Sequence, residues 1–478
     1  MKKVGSLAAG AALAVCASAG SAHAGYIQTL GIDENCAAVG GACEGLKGDL
    51  GSYDLNPAAA TSFDRPRLGL NLRMIDTRNL DLIDSAGRHD ISRTNTLGDT
   101  ALAPTIAGYL PLTRRLTVGI GVGAPYAITA EWGGASGLHR YDMSDQSLFV
   151  LDVAPTIAYK VTDKLSVGAT LSITALKQLR TQTLIPNSFG AALPPSLGGA
   201  GTVIPTTPTS PIIGSITLNT RNSMNIGLPP NAMESAFDEG ALVLGAQYKL
   251  TPNITLGLSG RTLTKTTFHG TTTLVVGPTT QSVPFHLRLD MPAHVQVGIA
   301  AQVTPSLLLS ADYQRTFWSN AVGLGAPAVV QFERPLLGFV NKLQLDYQAR
   351  DTDTFRFGAQ YKVMPPLTLL AGYARDGSVF PTSRVDILTY DSGRNIFSGG
   401  LRFDTRAGGQ GKGWIFTGSF QWVQYDKRNI ATGQSANLGG VSLPVLLNAD
   451  TLSFGPNRGP YQFGGDIRAV SVEIQRAF

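Results

Sequence analysis

Period-two alternation organises most of this chain. In residues 116–130, LTVGIGVGAPYAITA, the positions Leu116, Val118, Ile120, Val122, Ala124, Tyr126 and Ile128 share one face. Thr117, Gly119, Gly121, Gly123, Pro125, Ala127 and Thr129 share the other, so a greasy face backs onto one of very small side chains. A tilted strand needs about 9–11 residues to cross a bilayer, and this stretch is long enough. Pro125 sits inside it, where it cannot donate to a ladder. The pattern predicts a membrane-spanning strand with a local defect, and hence a wall with a gap.

The alternation recurs with regular punctuation. Tyr109, Tyr159, Tyr248 and Tyr361 each close an alternating run just before a tight turn, at 112–115, 162–164, 251–253 and 364–366. Further short turns fall at 303–306 and 406–413, and the tyrosines at one level suggest an interfacial girdle. Long connections separate these turns, at 79–97, 131–145, 181–237, 270–282, 319–340, 377–392 and 428–460. Six short turns and seven long loops imply 14 antiparallel strands, short turns periplasmic and long loops extracellular. The last stretch, AVSVEIQRAF, alternates up to a terminal Phe478, as expected of a strand read by the outer-membrane barrel assembly machinery.

Composition supports export to a membrane. Residues 1–24 carry Lys2 and Lys3, an apolar run and Ala22-His23-Ala24, which together read as a cleaved secretory signal. Removing it takes two lysines and no acid, leaving 36 basic against 33 acidic residues, too balanced for a nucleic-acid partner. Charged residues make up 15% of the chain, against about 25% in soluble domains. No apolar run of helical membrane length follows the signal. The fold class expected is therefore all-β: a 14-stranded transmembrane β-barrel over residues 64–478 in the outer membrane of a Gram-negative bacterium.

Residues 25–63 lack sustained alternation and read as a separate N-terminal unit. Cys36 and Cys43, the only cysteines after the signal, are disulfide candidates in an oxidising compartment; neither has a histidine nearby to suggest metal. The segment is either a free periplasmic tail or a hatch inside the lumen. A 14-stranded bore left open would leak, which with the cysteine pair favours the hatch.

Several motifs match a known family. Asn56-Pro57-Ala58 with Phe63-Asp64-Arg65-Pro66, Gly123-Ala124-Pro125-Tyr126 and the 155–160 stretch PTIAYK do so, as do Asp353–Gly358, Asp391–Arg394 and Gly459–Phe463. On these residues the chain resembles the FadL/TodX family of outer-membrane channels for long-chain fatty acids and hydrophobic compounds. The resemblance implies 14 strands, an N-terminal hatch carrying Asn56, Pro57 and Ala58, and lateral exit of substrate through a kinked third strand. Gly119, Gly121, Gly123, Pro125 and Tyr126 lie on the strand that the turn count independently makes third. The cysteine pair is not a feature of that family.

A hydrophobic cargo suits such a wall. Burying a 16-carbon chain is worth about 12 kcal/mol at about 0.8 kcal/mol per CH₂, so it gains little from a watery tube. The long loop 181–237, rich in Pro, Gly, Thr and Ser with apolar islands, is expected to capture cargo, helped by 441–447. For a carboxylate headgroup, alternation places Arg180, Arg261 and Lys265 inward, with an internal salt bridge as the other reading of each, and Lys177 outward. The partners expected are long-chain fatty acids or other hydrophobic small molecules and outer-membrane lipids, for a monomer without cofactor or metal. No G-x-S-x-G or H-E-x-x-H motif occurs, and enzymatic readings are poor. A general porin, an adhesive barrel and an aromatic-hydrocarbon channel are the alternatives.

Overall fold

The computed structural model describes residues 28, 32–84, 89–93, 100–132, 145–187, 211–220, 239–336, 340–385, 391–406, 411–430 and 461–478. The signal region, two of the apolar islands of the long loop (Ala191–Leu193 and Val203-Ile204), and 441–447 lie outside the described residues. Fourteen wall strands follow in chain order: β1 (Arg67–Asp84), β2 (Thr100–Pro111), β3 (Leu116–Trp132), β4 (Asp145–Lys160), β5 (Leu165–Pro186), β6 (Gly240–Thr251) and β7 (Ile254–Arg261). The others are β8 (Ala293–Gln302), β9 (Leu307–Phe317), β10 (Thr352–Met364), β11 (Leu367–Asp376), β12 (Arg394–Asp404), β13 (Gly413–Ile430) and β14 (Tyr461–Ala477). Each pairs antiparallel with its neighbour, and β14 pairs back to β1 over Arg67↔Ala477 to Asp84↔Tyr461, closing the ring. The six short connections fall where the alternation puts them, within a residue.

Alternation sorts the side chains of the wall. Leu70, Leu256, Val297, Phe416 and Val472 are exposed on the outer, lipid-facing side, while Asn71, Ser259, Gln296, Thr417 and Glu473 are buried inside. Tyr159, Tyr248 and Tyr361 are exposed near the short turns, as a girdle requires. Tyr109 is turned inward instead, and it holds the N-terminal segment.

Three of the long connections are more regular than expected. Strand β5 runs on to Pro186, past the expected loop start at 181. It pairs with Ile212–Thr220, and the sheet continues through Thr267–Val276, Thr279–Arg288, Ala328–Leu336 and Val340–Leu345. Alternating Thr, Val and Phe residues in 270–282 and 319–340 build this apical sheet. Its inner side, with Phe268, Phe285, Phe332 and Leu343, joins one apolar cluster with Tyr126, Val150 and Leu179 in the upper bore.

Two bulges face each other across β4. On β3, Gly123 pairs with Asp152 and Tyr126 with Val150, so Ala124 and Pro125 together oppose Leu151. On β5, Thr174 pairs with Asp152 and Leu176 with Leu151, leaving Ala175 extra. One added residue sends every later side chain to the other face. Tyr126, outward by simple alternation, is therefore buried inside; Lys177 also turns inward, and Arg180 falls on the opposite face from it.

Candidate transport path and its floor

The N-terminal segment folds from local signals. Asp33 caps helix α1 (Glu34–Ala38): its side chain accepts from Cys36 N at 2.8 Å and from Gly51 N at 2.8 Å. Burial, with Asp49 beside it, raises the Asp33 carboxyl to about 7. Gly40 and Gly41 take φ of +68° and +81°, turning the chain back so that Cys36 and Cys43, with Cα atoms 5.6 Å apart, form a disulfide. Asn56 caps the 3₁₀ turn Pro57–Ser62 by accepting from Ala58 N at 3.1 Å, with Pro57 at the first position, where its missing N–H is harmless.

The segment lies against the inner faces of strands around the ring. The Asn56 amide donates to Glu44 Oε2 at 2.9 Å, and Ser259 of β7 donates to Glu44 Oε1 at 2.8 Å. Burial, with Asp312 alongside, holds the Glu44 carboxyl well above the usual carboxylate range. Cys43 N and Glu44 N both donate to Asp312 of β9, at 2.6 and 2.9 Å. Glu34 accepts from Asn71 of β1 at 2.8 Å and from Ser419 of β13, and its N–H donates to Glu473 of β14 at 3.1 Å. Glycines on the wall admit the segment's backbone: a Cβ at Gly372 would overlap Gly40 N, and one at Gly257 the carbonyl of Glu44. The glycine face of β3 seats an aromatic ring, because a Cβ at Gly121 or Gly123 would overlap Tyr53, and one at Gly119 would overlap Tyr109. Tyr109 OH donates to Leu50 O at 2.9 Å and accepts from Tyr53 N at 3.0 Å.

Above this floor the wall is broken. The β2–β3 ladder runs only from Ile106↔Val122 to Pro111↔Thr117. Higher up, the strand His89–Arg93 pairs with Glu131 and Trp132 of β3 and with β1. Between those levels, 123–130 of β3 has no ladder partner in β2 among the described residues, and the Pro125 bulge lies in this interval. Gln28 makes a single bridge to Tyr126 there. A cavity of about 120 Å³ adjoins the bulge, lined by Pro125, Tyr126, Arg261, His294, Arg356 and Gln421 among others.

The three expected headgroup cations have different fates. Arg261 is buried inside, but it pairs with Asp54 at 2.7 Å and Asp152 at 2.6 Å, and its guanidinium lies 5.5 Å from the Tyr126 ring centre. Arg180 does not face the lumen with Ser172 and Thr174, because the Ala175 bulge reverses the pattern. Lys265 is exposed: β7 ends at Arg261, and alternation does not carry through the irregular 262–266. Sequence reasoning missed Arg356, in the quoted Asp353–Gly358 motif. Its Nη2 donates to Gln314 at 2.8 Å, whereas its buried Nη1, His294 Nδ1 and Gln421 Oε1 have no hydrogen-bond partner among the described residues.

A closed 14-stranded ring, a filled lower bore and a broken third-strand ladder invite comparison with known proteins. Residues 13–409 match the family model described as outer membrane protein transport protein (OMPP1/FadL/TodX). The chain belongs to the FadL/TodX family. It is accordingly an outer-membrane transport protein for hydrophobic compounds and not an enzyme. Solved structures agree on the fold. A Pseudomonas aeruginosa FadL homologue is 17% identical, with a TM-score of 0.69, over 95% of this chain and 100% of that one. The Pseudomonas putida toluene transporter TodX is 18% identical (TM-score 0.64, 95% and 99% covered). The Ralstonia pickettii toluene transporter TbuX is 21% identical (TM-score 0.62, 94% and 99% covered). No curated protein matches the chain.

Proposed function

We propose that this FadL/TodX member takes up long-chain fatty acids or similar amphiphiles from outside and releases them sideways, between β2 and β3, into the membrane. The observation that carries the reading is the ladder break above Val122 with the Pro125 bulge in it. Cargo descends through the apolar upper bore, where contact with Phe268, Phe285 and Leu179 replaces contact with water. Residues 25–63 act as the hatch that blocks the straight route to the periplasm, so the side gap is the remaining way out. The unpartnered Arg356 Nη1 favours a cargo with an anionic end over a bare hydrocarbon, since a buried guanidinium donor gains most from a carboxylate. Aromatic hydrocarbons are the second reading, favoured by the small volume of the cavity.

Deleting Ala124 removes the extra residue opposite Leu151 of β4, straightening β3 so that its other edge can meet β2 above Val122. Uptake of labelled fatty acid into cells or liposomes is expected to fall at least tenfold while the barrel stays heat-modifiable on gels. Undiminished uptake by an assembled variant refutes lateral release. Liposome swelling with sugars, slow for the wild type, separates this channel from a general porin.

A further inference from the structure

Outside the bore, the apical sheet carries a pattern that the transport route does not use. Register places His269, His286, Gln331 and Lys342 side by side across four consecutive strands, through the pairs His269↔His286, His286↔Gln331 and Gln331↔Lys342. Both histidines and Lys342 are exposed, and the two imidazole centroids are 6.1 Å apart. Two residues along the hairpin, about 7 Å away, Arg288 pairs across from Thr267. Lys265 is the first exposed charge beyond lipid-facing Leu258 on β7, and Arg288 the first beyond lipid-facing Val295 on β8. Arg334 is exposed on the neighbouring strand, where its Nη2 donates to Ser282 O at 3.3 Å. Against these cations stand Glu333, exposed on the same strand as Arg334, and Asp290, which is buried and already held by Arg288.

We propose that this outward face binds the phosphate-bearing headgroup of an outer-leaflet glycolipid. The cations begin where the lipid-facing apolar surface of β7 and β8 stops, the level at which a bilayer changes from acyl chain to headgroup. Lysines and arginines there gain from an anionic surface, and arginine adds directional hydrogen bonds to phosphate oxygens. The facing imidazoles and the Gln331 amide extend the donor row toward sugar hydroxyls. Surplus positive charge argues against a divalent cation as the primary ligand.

The test uses the untagged full chain in neutral detergent, with bisphosphorylated lipid A as the probe and native mass spectrometry or fluorescence titration as the readout. Substituting Lys265→Gln, Arg334→Gln and Lys342→Gln together is expected to weaken binding roughly 100-fold and to flatten its salt dependence. Fatty-acid uptake, which uses none of these residues, is expected to stay at the wild-type rate, and this reports that the variant is folded. Removing the phosphates from lipid A is expected to weaken binding to the wild type similarly. Equal binding by the triple variant, or equal binding of dephosphorylated lipid A, overturns the proposal. So does binding that EDTA abolishes while the triple variant retains it, which would assign the face to a metal bridging His269 and His286.

Discussion

Asn56 joins two functions in one side chain, so Asn56→Ala measures how firmly the N-terminal segment is seated. The substitution removes the cap on Pro57–Ser62, worth about 1 kcal/mol. It also removes the amide that donates to Glu44 Oε2, leaving a buried carboxyl oxygen short of a partner, which costs about 1–3 kcal/mol. The sum, about 2–4 kcal/mol, raises the opening equilibrium of this region by a factor of roughly 30–1000, at 1.36 kcal/mol per decade. Hydrogen exchange of peptides covering 48–63, with β9 and β10 as internal controls, reads that factor directly. Asn56→Asp separates the two contributions: it keeps a capping oxygen but loses the amide N–H groups that serve Glu44, Ala246 O and Leu258 O and buries a further acid beside the Glu44 carboxyl, so it is expected to open the segment at least as far as Ala does. Rescue by Asp would show that capping alone matters. Exchange within threefold of wild type in Asn56→Ala, with an intact barrel, would refute the assignment of Asn56 as the pin.

Other outcomes follow from the same contacts. Arg261→Gln leaves Asp54 and Asp152 buried without their cation, a loss of about 3–5 kcal/mol; it should lower the melting temperature and impair acids and neutral hydrocarbons alike, and a selective loss of acids would restore Arg261 as a headgroup ligand. Arg356→Gln should instead reduce uptake of fatty acids more than that of neutral hydrocarbons, as competition assays would show. Gly372→Ala puts a Cβ into the backbone of Gly40, and conductance in planar bilayers should reveal the displaced segment as a larger open level. Burial raises the Asp391 carboxyl from 3.8 to about 6, although Ser378 and the backbone of Val379 and Phe380 donate to it. The closed contact of Asp391 with 378–380 therefore keeps a proton that the opened form releases near 3.8. Its stability is full below about pH 4 and falls by about 3 kcal/mol as pH rises to 6; exchange of 378–385, corrected for intrinsic rates, should speed up over that window and lose the dependence in Asp391→Asn.

Strand number, strand order and the unusual third strand were legible because a wall between lipid and lumen forces strict alternation. The same logic misled wherever the ladder slips. Nothing in LTVGIGVGAPYAITA shows that Ala124 and Pro125 share one partner, and nothing in LSITALKQLR marks Ala175 as surplus, so Tyr126, Lys177 and Arg180 were assigned to the wrong faces. Lys265 failed because alternation was extended beyond the last paired residue. Tyr109 looked like its three girdle counterparts, yet the N-terminal segment gives it a better partner in Leu50 O. Arg356 was hidden for a different reason: a guanidinium in a polar lumen becomes distinctive only when its surroundings leave one nitrogen without a partner. The apical strands alternate as clearly as the wall does, but long connections in a barrel carry no membrane constraint to flag them.

Glu34 also bears on how the molecule is put together. Its carboxylate accepts from Asn71 of the first strand and Ser419 of the thirteenth while its backbone N–H donates to Glu473 of the last, so one residue near the start of the chain bridges the seam where the cylinder is sewn shut. That grip cannot form while the two ends of the sheet are apart. The grip is therefore set only once the edges of the cylinder have met, and a chain whose leading residues are misfolded is expected to close its seam without this fastener.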